Sequence, residues 1–298
     1  MLKFSLLDFQ HPGAAVALAC SADNWGYERF WLGEHHFVSQ CANPLLLGAL
    51  LAGTTHRIRI GSGGVSLTYT SPYRLAEDAR LIEFMLPGRF DLGVTRGLTT
   101  PGWAEQALLD GRAVVHDSYY ERFELLHGLV TGRLPQAHPL EGQEFYLESG
   151  PPIWTLGLSP ESAAFAGRHG TGFCYSLHHA PPGQNGRAVV DEYRRQFSPS
   201  PEFPEPFVIV VIRCICAATG AEAQELAAIA APSPASLLPT VVGAAPDCLE
   251  ELTALARGLG AQEVMLIDFL QSRQEARLEM YNLIAQAASL PSGRADAL

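Results

Sequence analysis

Arg29-Phe-Trp-Leu-Gly-Glu-His-His-Phe37 is the stretch on which the reading of this chain turns. Arg29–Gly33 is short and apolar, like a strand buried on both faces of a parallel sheet. It runs straight into an acid, two imidazoles and an aromatic ring, which are poor material for a core. They suit a place where protons move beside a flat ligand, because histidine titrates near neutral pH. Tandem histidines also occur as half-exposed loop residues or hydrogen-bonded structural ones. The stretch alone leaves both readings open.

Working outward, the same unit recurs. Strand-like runs cover Lys3–Phe9, Arg29–Gly33, Arg57–Gly61, Arg89–Thr95, Pro152–Leu156, Gly172–Ser176, Pro206–Ala217 and Glu263–Phe269. Helix-like stretches alternate with them, among them Ala14–Trp25, Pro44–Thr54, Tyr73–Met85, Tyr119–Val130 and Arg273–Ala288. This alternation predicts an α/β fold, a parallel (β/α)8 TIM barrel, in one domain spanning 1–298 with a disordered tail at 289–298. A doubly wound open sheet is the runner-up, although no Gly-x-Gly-x-x-Gly follows the first strand. Thr99–Gly111 reads as a long loop carrying Trp103, Ser198–Pro206 as a stiff proline-rich connector, and Ala231–Pro246 as a proline-punctuated loop.

Composition narrows the function. Apolar residues make up 47% of the chain and charged ones 17%, which argues for a well-buried enzyme and against disorder. A net charge of −11 favours neither nucleic acid nor an anionic membrane surface. Met1–Asp8 lacks the pattern of a signal peptide, and no apolar run approaches the roughly 20 residues that span a bilayer. Six scattered cysteines without Cys-x-x-Cys point to a reduced, cytoplasmic protein. Cys214 and Cys216, two apart in an apolar strand, are expected to share a buried face. Leu45–Ala52 is apolar on nearly every face and no charge falls between Val38 and Thr55, so a second subunit is expected to cover that helix.

Polar and glycine residues gather where strands end: Glu34-His35-His36, Ser62-Gly63-Gly64, Thr95-Arg96-Gly97, Gly157–Ser162 and Ser176–His179. Barrel enzymes build their sites at that end. Ser159 is placed to cap the next helix with Pro160 at its first position, and free amides with serine hydroxyls there suit an anion, though a capped helix needs no ligand. Arg96, read as facing inward, offers its fork to a phosphate; Arg112 is a second candidate, or a solvated helix-start residue. Gly63-Gly64 permits close approach of a ligand to the backbone, or marks a simple bulge. His178-His179 reads as a loop pair. A metal-dependent hydrolase is disfavoured, since no His-x-His occurs.

These residues together resemble the bacterial luciferase-like flavin monooxygenases. The resemblance lies in Gly33–Phe37, Asn43-Pro44, Ser71-Pro72 with Leu75-Ala-Glu-Asp78, Leu86-Pro-Gly-Arg-Phe-Asp-Leu-Gly93, Arg96-Gly-Leu98, Pro151–Gly157, the Ser159 segment and Val242-Gly243, and covers roughly 3–285. It implies a TIM barrel that binds reduced FMN, supplied by a separate flavin reductase, and uses O2 to oxygenate a small organic substrate through a flavin peroxide adduct. It implies His35 as the acid/base, with Glu34 or a backbone group setting its tautomer. Gly63 and Gly64 would lie behind the flavin ring, Leu158 would meet the ring through its backbone, and Arg96, Ser159, Ser162 and less firmly Arg112 would hold the phosphate. Thr95 stands where the luciferase subunit carries a reactive cysteine. A homodimer through the helices near 44–54 and 73–85 is implied as well. The lid before the last barrel unit is shortened to Ala231–Gly243, which argues against light emission. Deazaflavin-dependent hydride transfer and a non-catalytic flavin-binding or partner subunit are the alternatives.

Overall fold

The computed structural model describes residues 2–9, 11–37, 40–97, 102–109, 111, 119–141, 150–229, 240–270 and 273–292. In chain order the strands are β1 (Lys3–Asp8), β2 (Arg29–Leu32), β3 (Arg59–Ser62), β4 (Val65–Ser66), β5 (Phe90–Thr95), β6 (Ile153–Gly157), β7 (Gly172–Tyr175), β8 (Val208–Ala217), β9 (Thr240–Ala244) and β10 (Glu263–Ile267). The helices are α1 (Pro12–Trp25), α2 (Pro44–Thr54), α3 (Pro72–Met85), α4 (Gly102–Leu108), α5 (Tyr119–Thr131), α6 (Pro160–Arg168), α7 (Gly186–Gln196), α8 (Gly220–Ile229), α9 (Ala245–Leu259) and α10 (Gln274–Ala287). The ladder runs β1-β2-β3-β5-β6-β7-β8-β10, all parallel, and closes because β10 pairs with both β8 and β1. This is the expected barrel, and each of its strands lies within a few residues of its sequence reading.

Three elements differ from expectation. β4 pairs with β5 just past the end of β3, and β9 lies along the far half of β8, from Arg213↔Thr240 to Ala217↔Ala244. Thr240–Ala244 had read as part of a proline-punctuated loop, yet its β-branched and small residues complete a ladder once β8 overruns the barrel. Gly102–Leu108 is a helix rather than loop, in keeping with the helix formers Ala104, Glu105, Gln106, Ala107 and Leu108.

Strand alternation makes two cores. Val208, Val210 and Ile212 of β8 pack outward beneath the helices, while Ile209 and Val211 share the lumen with Leu7, Trp31, Trp154, Cys174, Met265 and Ile267. Trp31 and Trp154 meet edge to face at 5.7 Å. They fit because Gly61 and Gly172 lie against them: a Cβ there would fall 2.4 and 2.2 Å from the two indoles. Cys214, Cys216 and Cys248 are buried and free in the outer core, as their spacing suggested for the first two.

The floor of the lumen is ionic. Asp91 of β5 accepts from Arg29 Nε at 3.1 Å, from Arg59 Nε at 2.7 Å and from Trp154 Nε1 at 2.9 Å. Arg29 also reaches Glu263 of β10. Burial pushes the Asp91 carboxyl up, but Arg29 and Arg59 more than offset it and hold it below its usual range. A second buried cluster ties α10 to the barrel seam: Arg277 donates to Asp8 at 2.6 Å and to Asp268 at 2.9 Å, and Tyr281 donates to Asp268 at 2.7 Å.

Replacing Asp91 with Ala leaves the buried Arg29 guanidinium, the half-buried Arg59 guanidinium and the Trp154 indole N–H without this acceptor. The expected loss is about 3–5 kcal/mol of stability in a urea titration. A loss below about 1 kcal/mol, the size of an exposed pair, refutes a structural role for the network.

Candidate active site

Beyond β2 the backbone amide of His35 donates to Cys41 O at 2.8 Å, and Phe37 takes a left-handed φ of 61°. The His35 ring stands edge-on to Phe9 at 5.2 Å. Its Nδ1 is buried and meets no hydrogen-bond partner among the described residues. Burial, then His36 and His179, lower its pKa, so the imidazole is neutral near pH 7. The expected help from Glu34 is absent. Glu34 Oε1 lies 2.8 Å from His36 Nε2 and Oε2 accepts from Ser66 N at 3.1 Å. In extended chain, residues two apart share a side, so Glu34 pairs with His36 and not with His35.

Gly63 and Gly64 follow β3 through a cis peptide. A Cβ on Gly63 would lie 2.8 Å from Leu7 Cδ1, and one on Gly64 3.0 Å from Gly93 O, so bare backbone lines this wall. Ser62 Oγ donates to Gly93 O at 2.8 Å and anchors it to β5. Thr95 shares the face of Asp91 and Gly93 and is half-buried. Arg96 departs from its inward expectation. One step out of phase with Thr95, it is exposed and lies over Tyr119 and Tyr120 of α5, at 5.4 and 5.6 Å to the ring centroids. Tyr120 in turn packs on Phe165, in the second half of α6, at 4.6 Å, which links Arg96 to that helix through one aromatic ring. A cleft of about 560 Å³ opens there, lined in part by Tyr120, Pro160, Glu161 and Phe165.

At α6, Ser159 and Ser162 form a reciprocal capping box: Ser162 N donates to Ser159 Oγ at 3.2 Å and Ser159 N to Ser162 Oγ at 3.2 Å. The exposed Glu161 carboxylate is held below its usual range first by its own backbone amide and then by the Ser159 hydroxyl. The helix start thus carries a carboxylate of its own. Leu158 O accepts from the Gln184 side chain. Arg112 lies outside the described residues.

On the far wall of the mouth the sequence reading had His178 as a loop residue that shapes the pocket, and passed over Arg213. His178 is only 4% exposed and touches His179 at 4.0 Å between ring centroids. Burial, then His179, push its pKa down to about 3. Arg213 of β8, 5% exposed, sits with its guanidinium 4.9 Å from the Phe269 ring centroid. Phe269 lies 6.3 Å from Phe9, which meets His35. The signal was present: in Val208–Ala217, Arg213 continues the lumen set Ile209 and Val211. Among the described residues no group of His, Cys, Asp or Glu is arranged to hold a metal, and no helix is long and apolar enough to cross a membrane.

The donor set fits a flat, phosphate-bearing cofactor: a glycine wall, a neutral imidazole with an unengaged buried nitrogen at the end of the neighbouring strand, and an arginine joined to α6 through Tyr120. Comparison with known proteins gives the family. A family model described as luciferase-like monooxygenase matches residues 5–262. The uncharacterized protein YwcH of Bacillus subtilis (strain 168) is 37% identical over 223 residues, 72% of this chain and 65% of that protein. N-acetyl-S-alkylcysteine monooxygenase from the same organism is 34% identical over 212 residues, 66% of this chain and 62% of that protein. The chain therefore spans less than two thirds of the length of these relatives. The crystal structure of apo-MsnO8 superposes with a TM-score of 0.86 at 30% identity, covering 98% of this chain and all of that one.

His178 makes stability depend on acid. Above its ordinary pKa of 6.5 it is neutral folded and unfolded; below 6.5 the unfolded chain takes up a proton that the folded site resists down to about 3. Between pH 7 and pH 5 this one residue is expected to remove about 2 kcal/mol of stability. Urea midpoints of the His178→Asn variant should fall less over that range. An identical acid dependence in the variant refutes the assignment.

Proposed function

The chain belongs to the luciferase-like monooxygenase family, and from that premise we propose that it oxygenates a small organic substrate with O2, using reduced FMN delivered by a separate flavin reductase. The observation that carries the reading is His35: a neutral imidazole with a buried, unengaged Nδ1 at the end of the strand next to the Gly63-Gly64 wall. Bound reduced flavin supplies the electrons that activate oxygen. The chain's residues do the rest. Gly63 and Gly64 let the ring lie against backbone. Arg96, Ser159, Ser162 and the amides of α6 would hold the phosphate, with Arg112 as a further contact, and Thr95 and the Leu158 backbone would line the flavin's pocket. His35 holds and returns a proton at Nδ1, while Glu34 steadies the rim through His36 and the Ser66 amide.

Anaerobic titration with reduced FMN is expected to give a Kd tighter than about 1 mM, the scale of nonspecific contact. Deazaflavin binding in its place would move the reading to hydride transfer without oxygen. With an organic sulfide as substrate, of the kind for which the N-acetyl-S-alkylcysteine enzyme is named, His35→Asn should lower kcat about 100-fold while FMN affinity holds. Unchanged turnover in that variant rules out His35 as the acid/base. An inactive chain rescued by a paralogous one would make it a partner subunit.

We also propose a cytoplasmic homodimer through α2 and α3. Leu46 and Leu50 of α2 are 63% and 61% exposed, and Phe84 and Met85 of α3 are 49% and 65% exposed. Apolar side chains so displayed on neighbouring helices suit a self-complementary cover. Light scattering at micromolar concentration should give twice the chain mass, and the mass of one chain for Leu50→Glu. A wild-type chain that is monomeric there excludes the dimer.

A further inference from the structure

We infer that a cavity at the N-terminal end of the barrel, opposite the candidate active site, is a second binding site, and that it takes a small neutral aromatic molecule bearing a carbonyl oxygen. The inference does not rest on the monooxygenase reading.

Three observations carry it. The first is space. A cavity of about 490 Å³ lies under the ionic floor, bounded by Arg29, Asp91 and Trp154 on the barrel side, by Phe203 of the proline-rich connector and by Phe207 just after it. That volume is in the range of small-molecule sites. The second is the character of its walls. Phe203 and Phe207 both stand edge to face against Trp154, at 5.0 and 5.4 Å between ring centroids. Such walls suit a further ring, which finds edges and faces to pack against. The third is a donor left over where the charges are already matched. Arg29 is 8% exposed, and its guanidinium lies 5.1 Å from the Trp154 ring and 5.6 Å from that of Phe207. Its Nε donates to Asp91 and its Nη1 to Glu263, while no described residue accepts from Nη2. Arg29 lines the cavity, so this nitrogen is left for whatever occupies it. A carbonyl that accepts there takes nothing from the protein's own bonds. An ion gains less. Asp91 also serves Arg59, Glu263 serves Arg29, and Glu202 on the rim lies 3.6 Å from Arg133. The other rim carboxylate, Glu205, is exposed and screened by solvent. A charged ligand would give up its hydration without meeting an unmatched opposite charge, which favours a neutral one.

The test uses four probes of one size: acetophenone, ethylbenzene, benzoate and benzylammonium. Each is titrated into the full chain by ligand-observed NMR, with FMN absent and with FMN saturating. Acetophenone should bind about tenfold tighter than any of the other three. Its affinity should not change with FMN, which is proposed to bind at the other end of the barrel. Phe203→Ala should weaken acetophenone about tenfold while leaving FMN affinity within about threefold, and Phe207→Leu serves if the first variant fails to fold. Equal binding of acetophenone and ethylbenzene, or binding of neither, overturns the inference. So does tighter binding of either ion, an acetophenone affinity unmoved in a folded variant, or displacement of acetophenone by FMN. Failure of the chain to bind FMN, with the Phe203-dependent site intact, would refute the cofactor reading and leave this one standing.

Discussion

Closing a parallel sheet on itself drives side chains from every strand into one narrow space, and at the N-terminal end of that space this barrel places charge. Asp91 is the hub. Its two oxygens serve Arg29, Arg59 and the Trp154 indole, and Arg29 passes the link to Glu263. The residues come from β2, β3, β5, β6 and β10, so a single ionic knot touches five of the strands that close the barrel. Buried ions are stable only when every partner is present and well placed, which makes the knot a statement about register. A strand displaced by one residue would turn its lumen set outward and leave a charge unpaired.

Above that floor the lumen changes character in layers. Trp31 and Trp154 fill the middle, each admitted by the glycine paired with it on the neighbouring strand. At the mouth come Phe9, Phe269, three imidazoles and Arg213. The middle layer is buried from solvent, with Trp31 and Trp154 at 0% and 1% exposure, so a ligand at the mouth would rest on an aromatic base. In such surroundings histidine loses its charge and arginine keeps it, because their intrinsic proton affinities differ by several orders of magnitude. The same burial therefore gives neutral imidazoles and a charged guanidinium at one mouth.

The fold was legible because its signals are repeated. Eight apolar runs with helical stretches between them leave few alternatives, and Glu34–Phe37, Gly63-Gly64 and Ser159-Pro160 sit at strand ends in plain view. Directions were harder to read than positions. Arg96 had looked inward, yet alternation sets it on the face opposite Thr95, over Tyr119 and Tyr120. Glu34 had looked like the partner of His35 and belongs to His36. Arg213 was overlooked because one charge in Val208–Ala217 is lost in the hydropathy of the run, although alternation with Ile209 and Val211 puts it on the lumen face and the pairing of β8 with β10 agrees. Short pieces such as β4 and β9 exist through ladders with distant strands and have no local pattern of their own.

The carboxylate of Glu161, resting on its own amide and the Ser159 hydroxyl, gives the start of α6 an internal counter-ion. A phosphate bound there, as proposed, would meet this carboxylate rather than bare donors, and part of its favourable interaction with the helix start would be cancelled. The helix start is capped by its own residues with or without a ligand, and such a start would suit the proposed cofactor, which is exchanged rather than kept.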